Sequence, residues 1–159
     1  MKNKFIILIG IFFLLNGCKI QSKSNFLLYI NRVNQLEILT VDDKCGEWGG
    51  NEKMLTICRD NSKGQLLADY IEKTKNCKNG KEPEITDSIK RIKLTNEESA
   101  LILKSINELC EKKLSKEDFP IHSGTYNRIM LRDSTLMISD FPSVELKSIS
   151  DLITKLKKK

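Results

Sequence analysis

The chain lacks most of the side chains that make a small enzyme easy to recognise. Its 159 residues hold one histidine, one tryptophan and three prolines, and aromatic residues make up only 6%. A single histidine, His122, rules out a Cys2His2 zinc site, and no C-x-x-C spacing supplies an all-cysteine alternative. The patterns G-x-S-x-G, H-E-x-x-H, G-x-x-x-x-G-K-[ST] and G-x-G-x-x-G are all missing. The common local marks of serine hydrolases, zinc proteases and nucleotide enzymes are therefore absent. His122 beside Ser123 offers no substitute, because neighbouring side chains on an extended segment point to opposite faces and cannot share a proton. A one-signed charge excess is missing too. The formal net charge is +6, but Lys2, Lys4, Lys155, Lys157, Lys158 and Lys159 at the two ends account for all of it. The body is neutral, so nucleic acid is not an expected partner. With 40% hydrophobic and 30% charged residues, the composition excludes a polytopic membrane protein, a collagen and a wholly disordered chain.

One long apolar run is present, at the front. Lys2 and Lys4 precede Phe5–Leu15, eleven residues interrupted only by Gly10. As a helix this run is about 16 Å long, roughly half the hydrocarbon core of a bilayer, which fits the h-region of a signal peptide and not a permanent span. Leu15, Asn16, Gly17 and Cys18 follow directly. This string resembles the lipobox of bacterial lipoproteins, with Asn16 departing from the usual small residue at its position. The resemblance covers residues 1–18. It implies diacylglyceryl transfer to the Cys18 thiol, cleavage before Cys18 and acylation of the new amino terminus. Two or three acyl chains hold a protein firmly where one holds only marginally. The expected organisation is a signal peptide at 1–17, a polar tether at 18–25 and one domain at 26–159. Lys19 follows the cysteine and no acid appears before Glu37; by the same resemblance to lipoproteins, this implies a location on the periplasmic face of an outer membrane.

Four cysteines remain once Cys18 is set aside: Cys45, Cys58, Cys77 and Cys110. In an exported chain an even number predicts disulfides. If residues 54–59 and 65–73 pair as a hairpin around 61–64, cross-strand partners sum to about 124. Cys45 and Cys77 sum to 122, which places them together beyond the open end of the hairpin and leaves Cys58 to meet Cys110. One bridge with two buried free thiols is the alternative.

Runs rich in β-branched and aromatic residues predict strands at 26–30, 35–41, 54–59, 65–71, 85–94, 125–132 and 135–139, with Asp133 and Ser134 as a tight turn. Thr95 and Glu98 form a capping-box pattern that predicts a helix carrying Ile102, Leu103, Ile106, Leu109 and Cys110 on one face. Pro142 and Ser143 are expected to open a final helix with Val144, Leu146, Ile149, Leu152, Ile153 and Leu156 inward. The pattern is that of an α+β domain: an antiparallel sheet of about six strands in hairpins, with two amphipathic helices on one face. The lysines at the C-terminus read as a solvated helix end, or as a contact with anionic headgroups.

The most distinctive internal string is Cys45, Gly46, Glu47, Trp48, Gly49, Gly50, preceded by Asp42 and Asp43. It resembles a motif of small uncharacterised exported proteins of Gram-negative bacteria over residues 45–70, and the resemblance implies no activity. Two readings stand. Trp48 and Glu47, with Gly49 and Gly50, form a loop that engages a ligand or partner, or a disulfide-pinned turn lets Trp48 plug the end of the core. Asp42, Asp43, Glu47, Asn51 and Glu52 bring hard oxygen ligands for calcium close together, but they do not follow the alternate spacing of a calcium loop. No cofactor or metal is expected. The expected role is a lipid-anchored envelope protein, a non-catalytic binding or structural module for an unknown protein or small-molecule ligand. The alternatives are a small carboxylate-dependent enzyme using Glu47 or Glu52 in the Trp48 loop, and an inhibitor or immunity-type protein for a secreted partner.

Overall fold

The computed structural model describes residues 27–60, 64–78, 80–116 and 123–159. Six strands form one antiparallel sheet: β1 (Leu36–Val41), β2 (Glu52–Arg59), β3 (Leu66–Thr74), β4 (Glu84–Lys93), β5 (Thr125–Leu131) and β6 (Met137–Ser143). Their spatial order is β4-β3-β2-β1-β5-β6. Helix α1 (Asn96–Ser115) follows the edge strand β4 and returns the chain so that β5 lands beside β1; α2 (Lys147–Leu156) closes the domain. The expected α+β architecture is thus observed, with both helices contributing to a single core on one side of the sheet.

Alternation sets which side that is. On β1, Leu36 and Ile38 are buried while Glu37 and Leu39 are not; on β2 the inward pair is Leu55 and Ile57. Ile102 and Leu109 of α1 and Ile149, Leu152 and Leu156 of α2 meet these residues in one cluster. Each fully buried Leu or Ile contributes about 1.5–3 kcal/mol relative to exposure. The β2–β3 hairpin pairs residues whose numbers sum to 125, as in Met54 with Ile71 and Cys58 with Leu67, one more than the sequence suggests.

Helix α1 starts where the capping box predicts. The Thr95 hydroxyl accepts from Glu98 N at 3.2 Å, and Thr95 N donates to Glu98 Oε2 at 2.7 Å. Helix α2 starts later than expected. Pro142 and Ser143 belong to β6 and Val144 is 54% exposed, so the buried stripe begins at Leu146. Proline lacks an N–H, which an edge strand tolerates, and the buried Asn127 amide holds this stretch extended by donating to Ser143 Oγ and Val144 O. The α2 N-terminus is then capped from outside: Glu108 of α1 accepts from Lys147 N at 3.0 Å and Ser148 N at 3.2 Å. A carboxylate there also complements the helix dipole.

Two other expected elements differ. Residues 27–30 form a turn, not a strand: Leu27 has φ +62°, Ile30 N donates to Leu27 O, and Arg59 donates to the carbonyls of both. Ile30 is buried all the same, so its apolar character serves packing. Between β5 and β6 the turn spans residues 132–136, not Asp133 and Ser134 alone, because Asp133 is engaged elsewhere. Its carboxylate accepts from Thr135, Tyr29 and Asn34, tying this turn to the 27–35 segment.

The C-terminal lysines are clamps. Lys155 pairs with Glu97, Lys157 with Glu72 and Asp87, and Lys159 with Glu98. They fasten the end of α2 to the start of α1 and to strands β3 and β4.

Candidate functional site

The Trp48 loop occupies the end of the sheet where β1 and β3 finish and β2 and β4 begin. Its shape comes from Asp42. One carboxylate oxygen of Asp42 accepts from Lys44 N at 3.1 Å and Asn51 N at 2.8 Å, and the other accepts from Asn51 Nδ2 at 2.8 Å. The Asp42 carboxylate, a candidate cation ligand by sequence, is used by the loop itself. Gly50 packs so tightly here that a Cβ would sit 1.8 Å from Asp42 Oδ1, and Gly49 adopts φ +73°. No L side chain fits the first position, and the second favours glycine. Residues Gly46–Trp48 form a single 3-10 turn between these constraints.

The loop is then fastened to its neighbour. Cys45 and Cys77 form a disulfide with Cα atoms 5.3 Å apart, as the hairpin register predicts. Lys75 N donates to Asn51 Oδ1 at 3.1 Å and Lys75 Nζ to Trp48 O at 2.6 Å. Held this way, Trp48 does not plug the core: it is 80% exposed. The backbone tethers fix the turn while nothing in the core reaches the indole. Trp48 lines a cleft of about 300 Å3 with Cys45, Lys75, Asn76, Cys77 and Gly80. A second cleft, about 200 Å3, is lined by Asn76 as well, with Thr74, Glu82, Glu84 and Thr86. A third lies on the far side of the loop, about 200 Å3, between Thr40, Asp42, Asn51, Lys53, Thr125 and Glu145.

The proposed second bridge is not formed. Cys58 and Cys110 are free and half-buried. The cause is parity on β2: Ile57 points toward the helices, so Cys58 points to the other face, away from α1 and Cys110. Burial, followed by the nearby carboxylates Asp69 and Asp60, pushes the Cys58 thiol above its ordinary range, which disfavours the thiolate.

Neither carboxylate proposed for catalysis, Glu47 or Glu52, lines the Trp48 cleft. Glu47 is exposed on the 3-10 turn and does not line the Trp48 cleft. Glu52 is bonded to Lys73 at 2.8 Å on the sheet. Among the described residues no group of three or more His, Cys, Asp or Glu is placed to hold a metal ion. Cys18 and His122 lie outside the described residues.

Sequence reasoning named Asn51 only as a candidate calcium oxygen, and did not single out Lys75 or Asn76 as site residues. The signal was available: Trp48 and Lys75 sum to 123 and Asn51 and Lys75 to 126, close to the hairpin register, so the two loops had to face each other. No helix among the described residues is long and apolar enough to cross a membrane. Comparisons with protein-family models, with curated proteins and with solved structures give no match to this chain.

Proposed function

We propose that this chain is a lipid-anchored envelope protein, probed from its surface by a non-catalytic recognition loop centred on Trp48. The observation that carries the reading is the 80% exposure of the only tryptophan on a turn fixed by a disulfide, an Asp42 cap and a lysine bond. Exposed rigid aromatics are favoured recognition anchors because they offer a large amphipathic contact with little conformational entropy to lose.

The anchor rests on the first eighteen residues: a charged start, an eleven-residue apolar run and a lipobox ending in Cys18. The C-terminal lysines do not support a second membrane contact, since Lys155, Lys157 and Lys159 are paired with acids of the domain. For catalysis the Trp48 cleft offers no carboxylate among its lining residues, so the acid and base of the enzymatic reading have no common locus there.

The test is capture from solubilised envelopes by the intact anchored protein, wild type against Trp48→Ala. Loss of a specific component in the variant supports the reading. Identical capture by both, with the variant folded, overturns it.

A further inference from the structure

We propose that the turn at residues 27–34 is the face this domain lays on the bilayer, with Leu28, Tyr29 and Val33 in the headgroup region of an anionic membrane and the Trp48 loop at the opposite end of the sheet. This rests on the lipid-anchor reading and gives the anchored domain an orientation.

Hydrogen bonds hold the turn so that its apolar side chains are displayed. Asn31 Oδ1 accepts from Val33 N and Asn34 N, each at 2.8 Å, and Arg59 donates to the carbonyls of Leu27 and Ile30. Ile30 is buried, whereas Leu28 is 57%, Tyr29 60% and Val33 80% exposed. The Tyr29 hydroxyl donates to Asp133 Oδ2 at 3.0 Å. Two aliphatic side chains and an amphipathic tyrosine ring are the composition that settles between headgroups and acyl chains.

The charge of this segment suits an anionic surface. From Lys19 to Gln35 the chain carries Lys19, Lys23 and Arg32 and no acid. Arg32 makes no ion pair among the described residues. The acids that other elements bring to this end are engaged: Glu37 with Arg132, Asp60 with Arg91, Glu97 with Lys155, and Asp133 with Tyr29, Asn34 and Thr135. Basic residues beside an acyl anchor strengthen attachment to anionic lipid.

Exposed apolar side chains stand at the other end too, Trp48, Ile85 and Phe141 among them, so apolarity alone does not choose the face. Chain connection chooses it. Eight residues separate Cys18 from Leu27, a reach of at most about 32 Å. The chain enters the domain at Leu27, so the turn that begins there is kept beside the lipid. Trp48 lies beyond the six residues of β1, about 20 Å away along the strand. Bringing it to the surface would draw the connecting segment nearly straight back along the sheet, at a cost in chain entropy.

The single tryptophan marks the far end, so wild-type emission is the control. The full acylated chain is reconstituted into vesicles of phosphatidylethanolamine and phosphatidylglycerol carrying a headgroup nitroxide. It is compared with Val33→Trp and Leu28→Trp, each in a Trp48→Phe background and checked for folding by circular dichroism. The nitroxide should quench emission from positions 33 and 28 and leave that of Trp48. Added salt or Arg32→Glu should lower this quenching without releasing the chain from the vesicles. Quenching of Trp48 instead, or of neither position 28 nor 33 in folded variants, overturns the proposal while a sedimenting chain keeps its anchor. Quenching indifferent to both salt and Arg32→Glu overturns the anionic headgroup as the partner. A wild-type chain that does not sediment with the vesicles removes the anchor, and the orientation falls with it.

Discussion

The Lys75 ammonium donates to the main-chain oxygen of Trp48 across 2.6 Å, joining two loops that the Cys45–Cys77 disulfide already staples. The tryptophan is thereby held through its backbone, and its side chain is left to solvent. Position is fixed without burial, which a recognition element requires and a core residue does not.

The disulfide closes a loop of sequence separation 32, for which chain entropy predicts a contribution of about 3–4 kcal/mol. Chemical denaturation of the Cys45→Ser/Cys77→Ser variant should show a loss of that order. Intact mass of the oxidised domain should rise by about two hydrogens on reduction, the count for one bridge. A rise of four would restore the Cys58–Cys110 pairing that the β2 alternation forbids.

Lys157 places its ammonium 2.7 Å from Glu72, 2.9 Å from Asp87 and 5.1 Å from the centre of the Tyr70 ring. The bond to Glu72, followed by that to Asp87, raises the Lys157 pKa above its ordinary value. Its side chain is more than a third exposed, so solvent screening keeps the stabilisation modest. Lys157→Met should cost about 1 kcal/mol in urea denaturation, rising toward twice that if the network acts cooperatively. A raised folded-state pKa gives stability that is full below about pH 10.5 and is lost as pH rises above it. The difference between wild type and variant should therefore shrink only in strong alkali.

Acid should act through a separate set. Burial alone would raise Glu98, Glu108 and Asp140, yet each lies below its ordinary value because local donors outweigh it: Lys159 and Thr95 for Glu98, Ser148 and Lys147 for Glu108, Lys116 and Ser143 for Asp140. Depressed carboxylates give stability present above their unfolded values, near 4.5 for Glu and 3.8 for Asp, and lost as pH falls through the folded ones. Thermal midpoints should hold from neutrality to about pH 4.5 and decline below it. Glu108→Gln should be less stable at neutrality and show a shallower acid decline.

Local rules were legible and long-range ones were not. The Thr95–Glu98 cap, the β2–β3 register and the Cys45–Cys77 pair follow from spacing within a few residues or from one hairpin sum. Ile30 looked like strand because burial and strand formation select the same side chains; the Arg59 guanidinium that bends its backbone is 29 residues away. Pro142 looked like a helix start, and only Asn127, buried one strand over, holds the chain extended past it. At the site, glycines around Trp48 announced special backbone geometry. Whether the indole faced core or solvent depended on Lys75 and Asn51, whose meeting is a tertiary fact.

Cys18→Ser tests the anchor without touching the fold. The thiol is the acceptor in the lipobox reading, so the variant should accumulate as a larger precursor carrying no glyceride-linked acyl chains by mass spectrometry. The wild type should sediment with membranes. Full-length wild-type chain free in the cytosol, residues 1–17 intact, would remove the anchor and leave the Trp48 loop to be judged on its own.

Trp48→Ala separates recognition from stability most directly. An 80% exposed side chain has little apolar area to lose from the folded state, and surface substitutions of this kind usually change stability by less than about 0.5 kcal/mol. The turn itself is held by Asp42, Gly50 and Cys45, none of which needs the indole. Denaturation midpoints should thus coincide with wild type while capture of the partner falls by an order of magnitude or more, the scale of a recognition hot spot. A variant that loses both together would mean that the indole packs in solution, and the loop would then be a structural closure of the sheet end.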